Sequence, residues 1–82
     1  MADAPDVKTW VEERARELVD RPEAVEVRQI EEEGTEVFEL LVDPGEMGRV
    51  IGRQGRTVQA LRTLLGLAAD KHGRSYDIEI IE

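Results

Sequence analysis

The sequence predicts an α+β domain with the element order α-β-β-α-α-β, in which three helices pack on one face of a three-stranded sheet. Two patterns carry this prediction: apolar residues recur at helical spacing over residues 7–19 and 56–71, and they alternate over three short segments. A Gly-x-x-Gly sequence at residues 52–55 stands between two of the helical segments. With 82 residues, the chain has room for one core, so residues 1–82 form a single domain.

The first helix has one apolar stripe with charged residues on its other side. The stripe consists of Val7, Trp10, Val11, Ala15, Leu18 and Val19. We expect Asp3 to cap this helix, with Pro5 in its opening turn, and Pro22 to prevent its continuation. Because Trp10 lies on the stripe, we interpret it as a core residue rather than a platform for stacking a base.

Alternating apolar residues predict the three strands. The first begins at Val25 and reaches about Ile30, and residues 31–35 form an acidic turn with glycine near its tip. The second covers residues 37–42, and its inward face consists of Phe38, Leu40 and Val42. The third covers residues 76–80, with its apolar residues towards the helices and its acids towards water.

A helix start precedes the glycine pair. Asp43 is suited to the N-cap, Pro44 to the first position and Glu46 to the third, and Gly52 ends the helix early. The residues expected to pack on the sheet are Met47, Val50 and Ile51. Gly48 within a helix costs about 1 kcal/mol relative to alanine. Close approach by the next helix or by a ligand would offset that cost, and the sequence leaves both open.

The last helix, predicted over residues 56–71, has more apolar surface than one core contact needs. One stripe consists of Val58, Leu61, Leu65 and Ala68. A second, displaced around the axis, consists of Ala60, Leu64 and Leu67. The pattern fits either a wide core face or a surface for self-association. We expect His72, at the end of the helix, to interact with its last carbonyls.

Charge is distributed unevenly along the chain. The formal net charge is −8, yet residues 48–75 contain six basic residues and one acidic residue, a local charge of +5. The remainder, with five basic and eighteen acidic residues, carries −13. This asymmetry predicts a cationic surface on an acidic body, and phosphate binding depends on the local field. Arg62 and Lys71 fit a functional or a merely solvated role equally well.

Several classes of protein are disfavoured. The chain has no cysteine, one histidine and one serine, and no Walker loop or Ser-His-Asp pattern. We therefore expect no enzymatic activity, no cofactor and no metal site. No apolar run is long enough for a membrane span and no signal peptide is visible, which predicts a cytoplasmic protein.

The Gly-x-x-Gly sequence has the chemistry of a phosphate site. Gly52 and Gly55 lack a Cβ, so the backbone can turn sharply and lie close to a partner. Arg53 and Gln54 between them are long and polar. The unpaired N–H groups of the following helix favour an anion at the loop.

The element order and residues 50–58, Val-Ile-Gly-Arg-Gln-Gly-Arg-Thr-Val, resemble a KH domain of the bacterial (type II) arrangement over nearly the whole chain. The resemblance implies that the loop clamps about four nucleotides of single-stranded RNA. Gly52 and Gly55 would then allow close approach, and Arg53 and Gln54 would meet the phosphates. The flanking residues of the implied site are Arg49 and Arg56, with Val50 and Ile51 in its apolar wall.

The same resemblance implies partners. Small bacterial proteins that consist of one KH domain form homodimers and associate with a larger partner that has its own KH domain, in RNA regulation linked to cell elongation and division. The candidate interface is the stripe of Ala60, Leu64 and Leu67. The alternative is a scaffold for protein partners with RNA secondary. Glutamates at 31–33 and 36 predict weak, salt-sensitive RNA binding if their loop borders the RNA.

Overall fold

The computed structural model describes residues 6–81 and confirms the predicted order of elements. The helices are α1 (Val7–Leu18), α2 (Met47–Ile51) and α3 (Arg56–His72), and the strands are β1 (Glu26–Glu32), β2 (Thr35–Leu41) and β3 (Tyr76–Ile81). Short 3₁₀ turns occur at Pro22–Ala24, Pro44–Glu46 and Arg53–Gly55. The fold is α+β, as the sequence predicts.

The sheet has β2 in the middle. It pairs antiparallel with β1, placing Val27 opposite Leu40, and parallel with β3, placing Phe38 beside Ile78. These four side chains are buried on the face that the helices cover. Since β3 pairs only with β2, its other edge is free of strand pairing.

Among the charged residues on the opposite face of the sheet, acids predominate. Residues at alternate positions in paired strands share a face, and those on the outer face include Glu26, Glu32, Glu39, Asp77 and Glu79, with Arg28 among them. Arg28 lies opposite Glu39 and forms an ion pair with Glu26, Nε to Oε2 3.1 Å. The helix-covered face and the acidic face therefore differ sharply in charge.

All three helices and all three strands contribute side chains to the core. Its most deeply buried large side chains are Phe38, Leu40, Leu65, Ile78, Val11 and Val50. Trp10 and Tyr76 are partly buried and pack against it, and Tyr76 meets Phe38 edge to face with ring centroids 5.7 Å apart. Burial is the main cause that raises the pKa of Tyr76. Within residues 6–81, no aromatic side chain is exposed as a stacking platform.

Asp6 caps the first helix. Its Oδ1 accepts a hydrogen bond from the Thr9 backbone N–H at 3.0 Å, and its Oδ2 accepts one from the Thr9 hydroxyl at 2.7 Å. These two bonds, the hydroxyl's first, lower the pKa of Asp6. The predicted cap Asp3 and Pro5 lie outside the described residues.

Glu46 differs from its predicted role at a helix start. Asp43 does cap the turn, accepting from the Gly45 N–H at 2.9 Å, but the Glu46 carboxylate points elsewhere. It is buried and accepts hydrogen bonds from the backbone N–H groups of Asp20 and of Arg21, the latter at 2.9 Å. Glu46 thus joins the segment after α1 to the start of α2, a link between residues far apart in sequence.

Two predictions for the end of α3 are wrong. Ala69 rather than Ala68 completes the buried stripe, because Ala68 is only partly buried. The His72 ring does not bond to the last carbonyls: its Nδ1 lies 3.0 Å from the Tyr76 hydroxyl. Gly73 instead closes the helix, with its N–H bonded to the Asp70 carbonyl at 3.3 Å and a left-handed φ of +66°.

The acidic hairpin lies at the end of the molecule away from the glycine loop. Its turn is formed by Glu33 and Gly34, and Glu36 in β2 pairs with Arg74 just beyond α3, at 2.9 Å. The glycine loop precedes the other end of α3, whose 17 residues make it about 25 Å long. The turn therefore does not neutralise the loop directly.

No helix within residues 6–81 is both long and apolar enough to span a membrane.

Replacing Glu46 with alanine should destabilise the fold by about 1–3 kcal/mol, because two partly buried N–H groups lose their charged acceptor. Urea unfolding measures this change. Glu13→Ala, an exposed glutamate on α1, is the matched control and should change the free energy of unfolding by less than about 0.5 kcal/mol. Equal effects of the two substitutions would show that the Glu46 link contributes nothing beyond helix propensity.

Candidate nucleic-acid interface

The glycine loop is a tight turn between α2 and α3. The Gly52 N–H closes α2 by bonding to the Gly48 carbonyl at 2.8 Å, and the Gly55 N–H bonds back to the Gly52 carbonyl at 3.0 Å. Three of its four residues have positive φ: Gly52 (+81°), Gln54 (+57°) and Gly55 (+74°). Gln54 is therefore a non-glycine residue in the left-handed region, a conformation that folded proteins use sparingly.

Position 52 requires glycine for two reasons, its positive φ and its close contact with Thr57. A Cβ at this position would lie 2.7 Å from the Thr57 backbone nitrogen and would collide with the Thr57 side chain. By contrast, no atom lies within 4 Å of a Cβ built at Gly55. Gly52 thus lets the loop backbone pack against the first turn of α3, whereas Gly55 leaves open space beside the loop.

Arg53 and Gln54 point into solvent at the tip of the loop. Arg56, in the first turn of α3, is also exposed, and its Nη2 lies 3.5 Å from Gln54 Oε1. Neither Arg53 nor Arg56 forms an ion pair within residues 6–81. The loop therefore presents two arginines whose charge is not committed to a carboxylate of the described chain.

The first turn of α3 adds to this positive field. Gly55 is its N-cap and provides no side-chain acceptor, so the amides of the first turn lack a side-chain cap. The dipole of this 17-residue helix places a partial positive charge at the same end. Loop arginines and helix amides together form a setting suited to a phosphate.

Arg49 is held differently from the loop arginines. Its Nη2 lies 3.1 Å from Asp20 Oδ2, and its Nε lies 3.8 Å from Glu46 Oε2. The side chain remains more than half exposed. A phosphate that reached Arg49 would therefore compete with two carboxylates, which the sequence did not reveal because Asp20 and Arg49 are distant along the chain.

The predicted apolar wall divides into two parts. Val50 is fully buried at 0% exposure, so its side chain lies within the core and is not available to a ligand. Ile51 is partly buried and packs at the edge of the core. No atom lies within 4 Å of a Cβ built at Gly48, so close approach by the next helix does not explain that glycine. Of the two explanations that the sequence offered for Gly48, close approach by a ligand is the one that remains.

Two further basic residues of positions 48–75 form ion pairs with the sheet: Arg62 with β3 and Arg74 with β2. Arg62 Nη2 donates to the Ile78 carbonyl at 3.3 Å, and its Nε lies 3.7 Å from Asp77 Oδ1. Arg74 pairs with Glu36 at the far end of the molecule. Within residues 6–81, the basic residues of positions 48–75 that form no ion pair are Arg53 and Arg56 at the loop and Lys71 near the opposite end of α3.

The second stripe of α3 is exposed. Leu64 and Leu67 are 49% and 63% exposed, and Ala60 is exposed beside them. Leu64 also borders an open apolar groove of about 300 Å³ between α1 and α3, whose lining includes Val7, Trp10, Leu65 and Ala68. This surface lies on the flank of α3 towards α1, whereas Arg62 lies on the flank towards β3.

Within residues 6–81, no three histidine, cysteine, aspartate or glutamate side chains are grouped as metal ligands.

The fold and the loop together define the class of protein. A mixed sheet in the order β1-β2-β3, with a Gly-x-x-Gly turn between two helices, is the type II arrangement of a KH domain. A family model described as KhpA/KhpB, KH domain matches residues 8–80. The chain belongs to this family.

Its relatives are similar over almost their whole length. The RNA-binding protein KhpA of Aquifex aeolicus is 50% identical over 76 residues, which cover 93% of this chain and 96% of that protein. The RNA-binding protein KhpA of Clostridium perfringens is 44% identical, over 92% of this chain and the whole of that protein. The protein of the same name from Halalkalibacterium halodurans is 43% identical, over 93% and 100%. These names describe binding proteins rather than enzymes, as we expected for this chain.

Gly52→Ala should destabilise the domain by at least about 2 kcal/mol, because a strained φ and a collision with Thr57 act together. Gly34→Ala is the matched control: φ there is +85°, but no atom lies within 4 Å of its Cβ position. We expect it to cost only about 1 kcal/mol. Urea unfolding of both variants isolates the contribution of the contact, and a larger loss for Gly34→Ala would refute it.

Proposed function

We propose that this protein binds single-stranded RNA with the loop formed by residues 52–55. The single observation that carries the proposal is the exposed, carboxylate-free pair Arg53 and Arg56 beside the uncapped start of α3. The matched relatives are named for RNA binding, which supports the same conclusion.

In the proposed complex, the loop grips the sugar-phosphate backbone of about four nucleotides. Gly52 and Gly55 keep side chains off the backbone, and the open space beside Gly55 admits a phosphate close to the helix amides. Arg53 and Gln54 contact phosphates from the tip of the loop. Arg56 continues the path along α3, and Arg49 contributes when a phosphate displaces Asp20 from it.

Ile51 provides the apolar contact in this proposal, since Val50 is enclosed by the core. The acidic hairpin weakens binding less than its composition suggests, because α3 separates it from the loop by about 25 Å. Salt-sensitive binding remains the expectation, because phosphate contacts release counterions from the RNA.

The biological setting of the proposal follows the family resemblance. We infer that the protein acts in the cytoplasm in post-transcriptional regulation linked to cell elongation, division and shape. It does so as a homodimer, with a larger KhpB-like KH-domain protein, or with both.

The exposed stripe of α3 supports the association with a protein. Leu64 and Leu67 form an apolar surface continuous with the groove against α1, and exposed apolar patches of this kind mark interaction sites. A scaffold role with RNA secondary rests on the same surface. The free cations at the loop favour RNA binding as the principal function.

Replacing Arg53 and Gln54 together with aspartate should abolish binding to single-stranded RNA, because the loop changes from cationic to anionic. Both side chains are exposed, and aspartate tolerates the left-handed conformation at position 54, so thermal unfolding should stay cooperative. Fluorescence anisotropy with a labelled RNA oligonucleotide measures the affinity.

The matched control places the same charge change on another surface. Arg28 and Gln29 are an exposed Arg-Gln pair in β1, and glutamate is the replacement there because aspartate is more strongly disfavoured in strands. Arg28→Glu with Gln29→Glu should weaken binding by less than the loop variant does. Equal losses would indicate that total charge, and not the loop, determines binding.

Leu64→Glu should yield a folded monomer, because a buried charge in an apolar interface without a partner is strongly unfavourable. Light scattering gives the mass, and circular dichroism confirms the fold. Ile30→Glu is the control, since Ile30 is also exposed, at 37%, but lies on the outer face of the sheet. An unchanged mass for Leu64→Glu, with a dimeric parent protein, would exclude the stripe as the interface.

A further inference from the structure

The segment that follows α1 is fixed to the start of α2 at two successive amides. The backbone N–H of Asp20 donates to Glu46 Oε2, and the N–H of Arg21 donates to Glu46 Oε1 at 2.9 Å. The Glu46 side chain is buried, and a charged acceptor forms stronger hydrogen bonds than a neutral one. Asp20 therefore keeps a defined position beside α2, although it lies outside any helix or strand.

From this position the Asp20 carboxylate contacts Arg49. Its Oδ2 lies 3.1 Å from Arg49 Nη2, while Arg49 Nε lies 3.8 Å from Glu46 Oε2. Within residues 6–81, Asp20 pairs with no other basic side chain. Glu46 thus has two effects, since it fixes the backbone of Asp20 and adds a second acid beside Arg49. The free protein therefore already supplies Arg49 with an anion.

Arg49 lies next to the glycine loop. It stands three residues before Gly52, about 4.5 Å along the helix axis, and the Gly52 N–H bonds to the Gly48 carbonyl in the same turn, at 2.8 Å. No atom of the described chain lies within 4 Å of a Cβ built at Gly48, so the surface beside Arg49 is open. An RNA backbone held at the loop passes within reach of the Arg49 guanidinium.

The ion pair between Asp20 and Arg49 is positioned but exchangeable. The two side chains are 75% and 56% exposed, so water screens their attraction and the pair contributes little to the stability of the fold. Carboxylate and phosphate oxygens accept the same bidentate hydrogen bonds from a guanidinium, so they compete for one cation. Arg53 and Arg56, which form no ion pair in the described part of the chain, have no such competitor.

We propose that Asp20 is an internal competitor of RNA phosphate, which occupies Arg49 in the free protein and thereby lowers the affinity of the site for RNA. This proposal rests on the proposed function and adds to it the residue that limits affinity. Arg53 and Arg56 take the first phosphates, and Arg49 then exchanges Asp20 for a further phosphate of the same strand. The loss of the existing ion pair offsets part of the attraction between Arg49 and that phosphate.

Replacing Asp20 with asparagine tests the proposal. Asp20→Asn removes the charge, keeps the shape of the side chain and leaves the backbone N–H bonded to Glu46. The probe is an oligouridylate of about eight nucleotides, roughly twice the length that the loop clamps. Its binding should tighten at least about threefold, the scale expected for an exposed ion pair. Fluorescence anisotropy measures the affinity, and urea unfolding checks that the variant is folded.

Glu23→Gln is the matched control. Glu23 is exposed three residues after Asp20 and forms no ion pair within residues 6–81. Its replacement changes the net charge equally but releases no arginine. Because salt screens exposed charges that contact no phosphate, it should tighten binding by less than about 1.5-fold.

The same substitution in an Arg49→Gln protein completes a double-mutant cycle. Without the Arg49 guanidinium, Asp20 has no cation to release. Asp20→Asn should then tighten binding no more than Glu23→Gln does. Asp20→Ala, which removes the side-chain acceptor as well as the charge, carries the test if Asp20→Asn does not fold.

Each result supports or overturns the proposal. Tighter binding that requires Arg49 supports it. Unchanged or weaker binding of a folded Asp20→Asn protein overturns it, as do equal gains for Asp20→Asn and Glu23→Gln or a gain that persists in the Arg49→Gln protein. The aspartate variant of Arg53 and Gln54 tests the proposed function separately, because it should lose binding with or without Asp20→Asn. If neither the unmodified protein nor Asp20→Asn binds the probe, both proposals fail.

Discussion

The packing of the Gly52 backbone against Thr57 is the contact on which the site depends. It brings the end of α2 onto the first turn of α3, and Arg53 and Gln54 project into solvent from the tight turn between the two helices. Any Cβ at Gly52 would separate the two helices. The uncapped amides of α3 and the loop arginines would then no longer lie together. The close approach of the Gly52 backbone to Thr57 therefore holds the positive groups of this surface together.

Local patterns predicted much of this structure correctly. Helical and alternating periodicities identified five of the six elements, the inward face of Phe38 and Leu40, and the second stripe that contains Leu64 and Leu67, while the start signal at Asp43 and Pro44 identified α2. These features depend on residues close in sequence, whose spacing already encodes which face they share. The position of the glycine loop between two helices was predictable for the same reason.

Pairings between distant residues were not predictable in this way. Glu46 has the spacing of a local cap, yet it bonds to the backbone of Asp20 and Arg21, more than twenty residues away. The arginines looked alike in sequence, but Asp20 holds Arg49 and Asp77 holds Arg62, whereas Arg53 and Arg56 have no carboxylate within the described residues. Val50 was expected both to pack on the sheet and to line the site, and in the structure its side chain lies wholly within the core. Each difference arises from tertiary packing.

The outer face of the sheet, with its glutamates and Asp77, has a consequence for molecular encounters. Negative charge on that face and positive charge at the loop give the protein an electric dipole moment. A polyanion approaching by diffusion exerts a torque on this dipole and turns the loop towards itself before contact. Such pre-orientation raises the fraction of collisions that are productive, and it fades once the ionic strength shortens the Debye length below the size of the domain.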